Sequence, residues 1–113
     1  MNVKKALKLA VIGTIVGIPA AWATALAIQE HTVVQKDKAF STTEMTVHVG
    51  DSIKFTNEDS VVHNVFSSTS GMEFDLRTQQ PGGSSLVPFT KEGVCEVRCA
   101  IHPKMKLKVT VEK

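Results

Sequence analysis

Cys99, His102 and Met105 fall within seven consecutive residues, Cys99-Ala100-Ile101-His102-Pro103-Lys104-Met105. A thiolate, an imidazole and a thioether this close in sequence can converge on one point if the backbone turns between them. The softness of the donors sorts the metal. Thiolate and thioether sulfur favour copper, and imidazole suits both of its oxidation states. One cysteine, two histidines and a weak axial methionine make the donor set of a copper site built for one-electron transfer. This segment supplies one histidine, so the second must come from elsewhere in the chain.

His63, in Val61-Val62-His63-Asn64-Val65, is the best-placed candidate. It follows the polar loop Asn57-Glu58-Asp59-Ser60 at the start of a strand-like run, a position that can reach the same end of a sheet as the 99–105 loop. Asn64 then has a mechanical role. Its side chain can bond between the two ligand loops, and its backbone N–H can donate to the Cys99 sulfur; such outer bonds orient ligands and tune a metal's potential. Two residues carry a second reading. Met105 also fits a core methionine at the head of the last strand. Cys99 alone would read as a buried thiol behaving as a small hydrophobe, and the His and Met that follow it reverse that preference. His48 and His31 fit other places: His48 alternates onto a polar face, and His31 lies near the expected mature terminus, where it is expected to be mobile.

The elements that must position these side chains follow period two. Thr32–Gln35, Met45–Val49, Ser52–Phe55, Val61–Ser67, Phe74–Thr78, Leu86–Phe89, Val94–Cys99 and Lys106–Glu112 read as short strands. Gly50-Asp51, Ser68–Gly71, Pro81-Gly82-Gly83-Ser84 and Lys91-Glu92-Gly93 punctuate them. With no helical stretch after the first 27 residues, the pattern predicts an all-β chain, an antiparallel sandwich or barrel. The last strand puts Leu107, Val109 and Val111 on one face, while Lys104, Lys106 and Lys108 share the solvated one. Those lysines serve solubility, or they form a basic margin near the metal that steers an acidic partner.

Three segments, Val49 to Asn57, His63-Asn64-Val65 and Cys99 to Met105, together resemble the cupredoxin family of plastocyanin, pseudoazurin and amicyanin. The Cys-x-x-His-x-x-Met spacing is similar to the short ligand loop of amicyanins. The resemblance covers most of residues 39–113. It implies an eight-stranded Greek-key β-sandwich over residues 28–113, with His63, Cys99 and His102 as equatorial ligands of one copper ion and Met105 as its axial ligand. It also implies protein redox partners, with His102 on the exposed loop as the route for electrons, and a monomer.

Cys95 departs from that pattern. In Cys95-Glu96-Val97-Arg98-Cys99 the apolar residues alternate with charged ones, so Cys95, Val97 and Cys99 share the inward face of a strand. Four strand residues span about 13 Å, beyond the roughly 7 Å that a disulfide tolerates between Cα atoms. One reading is a core thiol. The other is that Cys-x3-Cys followed by His and Met resembles the dinuclear copper centre of cytochrome oxidase subunit II and nitrous oxide reductase. That centre leaves three residues between the second Cys and the His, and this chain has only Ala100 and Ile101. The mononuclear site is the stronger expectation.

The chain begins with Lys4, Lys5 and Lys8, then runs without charge from Leu9 to Ile28 and passes through Ala25-Leu26-Ala27. This is the anatomy of a signal peptide over residues 1–27, or of a retained anchor, since about 20 apolar residues can span a bilayer. Either places the rest outside the cytoplasm, in a periplasm or its equivalent, and only a retained leader brings a membrane contact. After residue 27 there remain 10 Lys and Arg against 11 Asp and Glu, a net charge of −1 beside the +2 of the whole chain. The basic character belongs to the leader, and a nucleic-acid-binding surface is not expected. No acid–base pair or activated nucleophile is evident. The expected function is therefore electron carriage and not enzymatic catalysis, with copper delivery or sequestration as the alternative and a metal-free interaction module as a third, disfavoured by the full ligand set.

Overall fold

The computed structural model describes residues 27–113, and residues 1–26 of the expected leader lie outside them. The described residues form nine strands: β1 (Glu30–Lys36), β2 (Ala39–Phe40), β3 (Glu44–His48), β4 (Ser52–Asn57), β5 (Val65–Ser67), β6 (Phe74–Asp75), β7 (Ser84–Pro88), β8 (Gly93–Cys99) and β9 (Lys106–Glu112). They make two sheets, in the orders β2-β1-β4-β7 and β3-β9-β8-β5-β6. Alternating side chains meet between the sheets. Val33, Ile53 and Phe55 face Val47, Val65, Val97, Leu107 and Val109, all of them fully buried. Burying a side chain the size of Phe55 or Ile53 is worth about 1.5–3 kcal/mol, so this layer carries most of the stability.

The β-sandwich is as expected, with one difference in its connections. Two pairings are parallel, β1 with β4 and β3 with β9. The cause is the corner at Gly50-Asp51. Read as a break in one alternating run, it instead carries the chain from one sheet to the other, so β3 and β4 never pair. Gly50 takes φ +100°, open to glycine at little strain, and its N–H donates to Phe89 O at 2.8 Å.

Asp51 fastens that corner. Its Oδ1 accepts the Gln29 N–H at 2.9 Å, and its Oδ2 accepts the His48 N–H at 2.9 Å and stands 3.0 Å from His31 Nε2. His31 is thus held within β1 and is not a mobile terminal residue. The contact with His31 and the two backbone N–H groups hold the Asp51 carboxyl well below the usual carboxylate range. A carboxyl held low in the folded state stabilises it fully above the unfolded value near 4, and that stability is lost as the pH falls below it. Asp51→Asn should lower the thermal midpoint at pH 7 and flatten the acid limb of stability below about pH 4. Parallel melting curves of the two proteins from pH 7 to pH 3 check this; a gap of constant size at every pH would remove the carboxylate from the account.

Candidate metal centre

The site lies at one end of the sandwich, where β8 runs out and β9 begins. Cys99 is the last residue of β8 and pairs with Val65, the first of β5. That register sets residue 64 against residue 100: the Ala100 N–H donates to Asn64 O at 2.9 Å, and the Asn64 N–H donates to Cys99 Sγ at 3.4 Å. The Asn64 side chain does not bridge the two loops. Its amide donates to Asp75 Oδ1 at 2.8 Å on β6, because the ladder position turns it outward. The tie between the loops is made by the Asn64 backbone, whose O accepts from the Ala100 N–H and whose N–H donates to Cys99 Sγ.

Past Cys99 the chain makes a tight turn. Pro103, whose ring presets φ for the second position of a turn, follows His102, and the Met105 N–H donates back to His102 O at 3.0 Å. His102 is left half-buried at the rim, and Met105 enters the core side of β9 with 2% exposure. His63 is wholly buried. It is held by a two-way backbone bridge to Gln79, with the His63 N–H donating to Gln79 O at 3.1 Å and the Gln79 N–H to His63 O at 2.7 Å.

Three donor atoms meet as a result. His63 Nδ1 lies 3.6 Å from Cys99 Sγ, His102 Nδ1 lies 3.7 Å from it, and the two Nδ1 atoms are 3.2 Å apart. These three residues form a group with metal-holding side chains among the described residues. A triangle with those sides has a circumradius of about 2.0 Å, close to the 2.0–2.1 Å of a zinc–imidazole bond and the 2.3 Å of a zinc–thiolate bond. Tautomers agree with this: His63 Nε2 is engaged by Asp59 Oδ2 at 3.0 Å, which leaves Nδ1 as the lone-pair atom. Burial, with help from His63 and Lys38, pushes the His102 imidazole below its ordinary value, which favours the neutral ring that a metal needs. One thiolate sulfur and two imidazole nitrogens at these distances are a donor set that could hold a metal ion.

Cys95 lies apart from this group. It is fully buried midway along β8 and its thiol donates to Ser67 Oγ at 3.2 Å. Burial pushes that thiol up, the opposite of what a thiolate ligand needs. Cys95→Ser should leave the spectrum of the copper-loaded protein unchanged. Collapse of copper binding in that variant would move Cys95 into the centre.

Several supporting residues escaped the sequence reading. Gln79 donates to Phe55 O at 3.0 Å and accepts from Gln35 Nε2 at 2.6 Å. Asn57 Nδ2 donates to Gln79 O at 3.0 Å and to Val61 O at 2.9 Å. Gln35, Asn57 and Gln79 form a buried polar seam under the His63 bridge. A signal was present: Gln35 is a polar residue in register with Val33 on the inward face of β1.

Residues 28–112 match the family described as copper binding proteins, plastocyanin/azurin family. The chain is 37% identical over 79 residues to amicyanin-alpha of Methylorubrum extorquens, a match that covers 65% of this chain and 64% of that relative. Among solved structures it is similar to a Cu(I) form of an amicyanin variant in which one methionine is replaced by alanine, with TM-score 0.66, 28% identity, and coverage of 80% of this chain and 89% of that one. It is also similar to a copper-containing nitrite reductase from Thermus scotoductus, with TM-score 0.69 and 24% identity, a likeness of fold that spans 74% of this chain and 22% of that one.

Proposed function

The chain belongs to the plastocyanin/azurin family of copper-binding proteins, and we propose that it is an exported one-electron carrier in which His63, Cys99 and His102 hold a single copper ion with Met105 as the axial donor. The observation that carries this reading is the triangle of Nδ1, Nδ1 and Sγ atoms at 3.2–3.7 Å. Copper supplies the redox couple, and a thiolate with two imidazoles and a weak thioether suits both of its states.

The chain's own residues do the rest. β8 and β5, locked by the Val65–Cys99 pair, fix the sulfur against the Asn64 N–H. The backbone bridge to Gln79, above the buried seam of Gln35, Asn57 and Gln79, holds His63 in a buried position. A frame that does not move when charge changes keeps reorganisation small. His102 stands at the rim beside a shallow dish of about 270 Å³ lined by Lys38, Ile101, Pro103 and Lys104. Ile101 is 47% exposed there. A protein partner meeting this face comes within one imidazole of the thiolate, and Lys38 and Lys104 favour an acidic rim on it.

The test is the visible and paramagnetic-resonance spectrum of the Cu(II)-loaded protein. An intense thiolate-to-copper band with the hyperfine pattern of one copper supports the proposal. A signal shared over two coppers overturns it. Rapid loss of the copper to a competing acceptor, in place of retention through repeated redox cycles, would make the protein a copper carrier instead.

A further inference from the structure

The β1–β2 hairpin turns on Asp37 and Lys38, with φ 54° and 57°. Two successive left-handed residues are the geometry of a tight hairpin turn, usually given to Asn-Gly or Asp-Gly. Here the second residue is lysine, so the conformation is held against a local preference. Asp59 holds it. The Lys38 N–H donates to Asp59 Oδ2 at 2.8 Å. The same oxygen is 3.0 Å from His63 Nε2. The other carboxylate oxygen accepts the Ser60 N–H at 2.9 Å, and the Asp59 N–H donates to Asn57 Oδ1 at 2.9 Å.

We infer that Asp59, braced by the Asp37–Lys38 turn, is a positioning residue for His63. It fixes the Nε2–H tautomer, so that Nδ1 is the atom offered to the metal, and it sets the plane of the ring. The ring has no exposure and the Asp59 side chain only 9%, so their bond is little weakened by water. An oxygen that accepts from a backbone N–H and from the ring together cannot swing away without breaking both bonds. A carboxylate on the far nitrogen also makes the near one a stronger donor. The Lys38 side chain meanwhile lines the dish beside His102. The hairpin tip therefore touches the surroundings of both histidines, one through its backbone and the other through its side chain.

This inference rests on His63 being a ligand, and the experiment separates the two. In the metal-free protein, ring ¹⁵N shifts should report His63 as the Nε2–H tautomer. Asp59→Ala should turn this into a mixture and weaken Cu(II) binding about 10- to 100-fold. Asp59→Asn keeps an acceptor oxygen without the charge. It should restore the tautomer and most of the affinity while raising the midpoint potential, because a lost negative charge favours Cu(I). An Asp59→Ala protein that keeps both the tautomer and an affinity within twofold of the wild type overturns the inference. A wild-type protein that shows the fixed tautomer but gives no thiolate-to-copper band overturns the ligand assignment and leaves the positioning role standing. If Asp59→Ala fails to fold, Asp59→Asn decides by the potential: an unchanged value overturns the inference.

Discussion

Cys99→Ser should abolish the intense visible absorption of the Cu(II)-loaded protein and most of its copper affinity, while the metal-free protein melts within a few degrees of the wild type. The asymmetry is the point of the experiment. Serine is close to isosteric, so the Asn64 N–H keeps an acceptor at the end of β8 and the Val65 pairing stays in register. The hydroxyl, however, stays protonated at neutral pH and is a hard donor, where the thiol gives up its proton to become a soft anionic one. Of the three atoms in the 3.2–3.7 Å triangle, Sγ is the one whose loss removes charge from the donor set. A band of undiminished intensity would take Cys99 out of the centre. A collapse of the metal-free fold would instead show that the buried sulfur serves packing, the reading a lone cysteine invites.

The parts of this centre that are local in sequence were legible there. Cys99 and His102 share one loop, so spacing and donor softness suffice to group them. His63 is 36 residues from Cys99, and its place depends on β5 lying beside β8, a pairing that alternation alone does not specify. Period two reports which face a residue shows and not which strand lies next to it. For that reason the Gly50-Asp51 corner read as a break within one run, and the parallel pairings of β1 and β3 went unseen. Asp59 and Gln79 were hidden for another reason. A polar side chain in a loop reads as solvated until the fold brings a buried partner to it, here the His63 ring and the Phe55 carbonyl.

Gln79→Met tests whether the polar seam under His63 is structural support for the site. The substitution keeps length and near-constant volume, so the packing term is small. It removes the acceptor for Gln35 Nε2 and the donor to Phe55 O, both in the dry interior. A buried polar group left without a partner costs roughly 1–3 kcal/mol. Gln35 Nε2 retains only a long bond to Thr56 O at 3.3 Å, so it recovers little. The expected loss is about 1–3 kcal/mol, borne mainly by Gln35 Nε2, since Phe55 keeps its ladder place opposite Ser85, and it is measured by urea unfolding of the metal-free protein. The backbone bridge between residues 63 and 79 does not involve the side chain, and Asn57 still bonds Gln79 O. Copper should therefore bind the folded fraction with an unaltered spectrum. A loss below about 1 kcal/mol would mean that water satisfies both groups. A normal stability with a changed spectrum would place the Gln79 side chain in control of His63 itself, through the bridge it shares with the ligand strand.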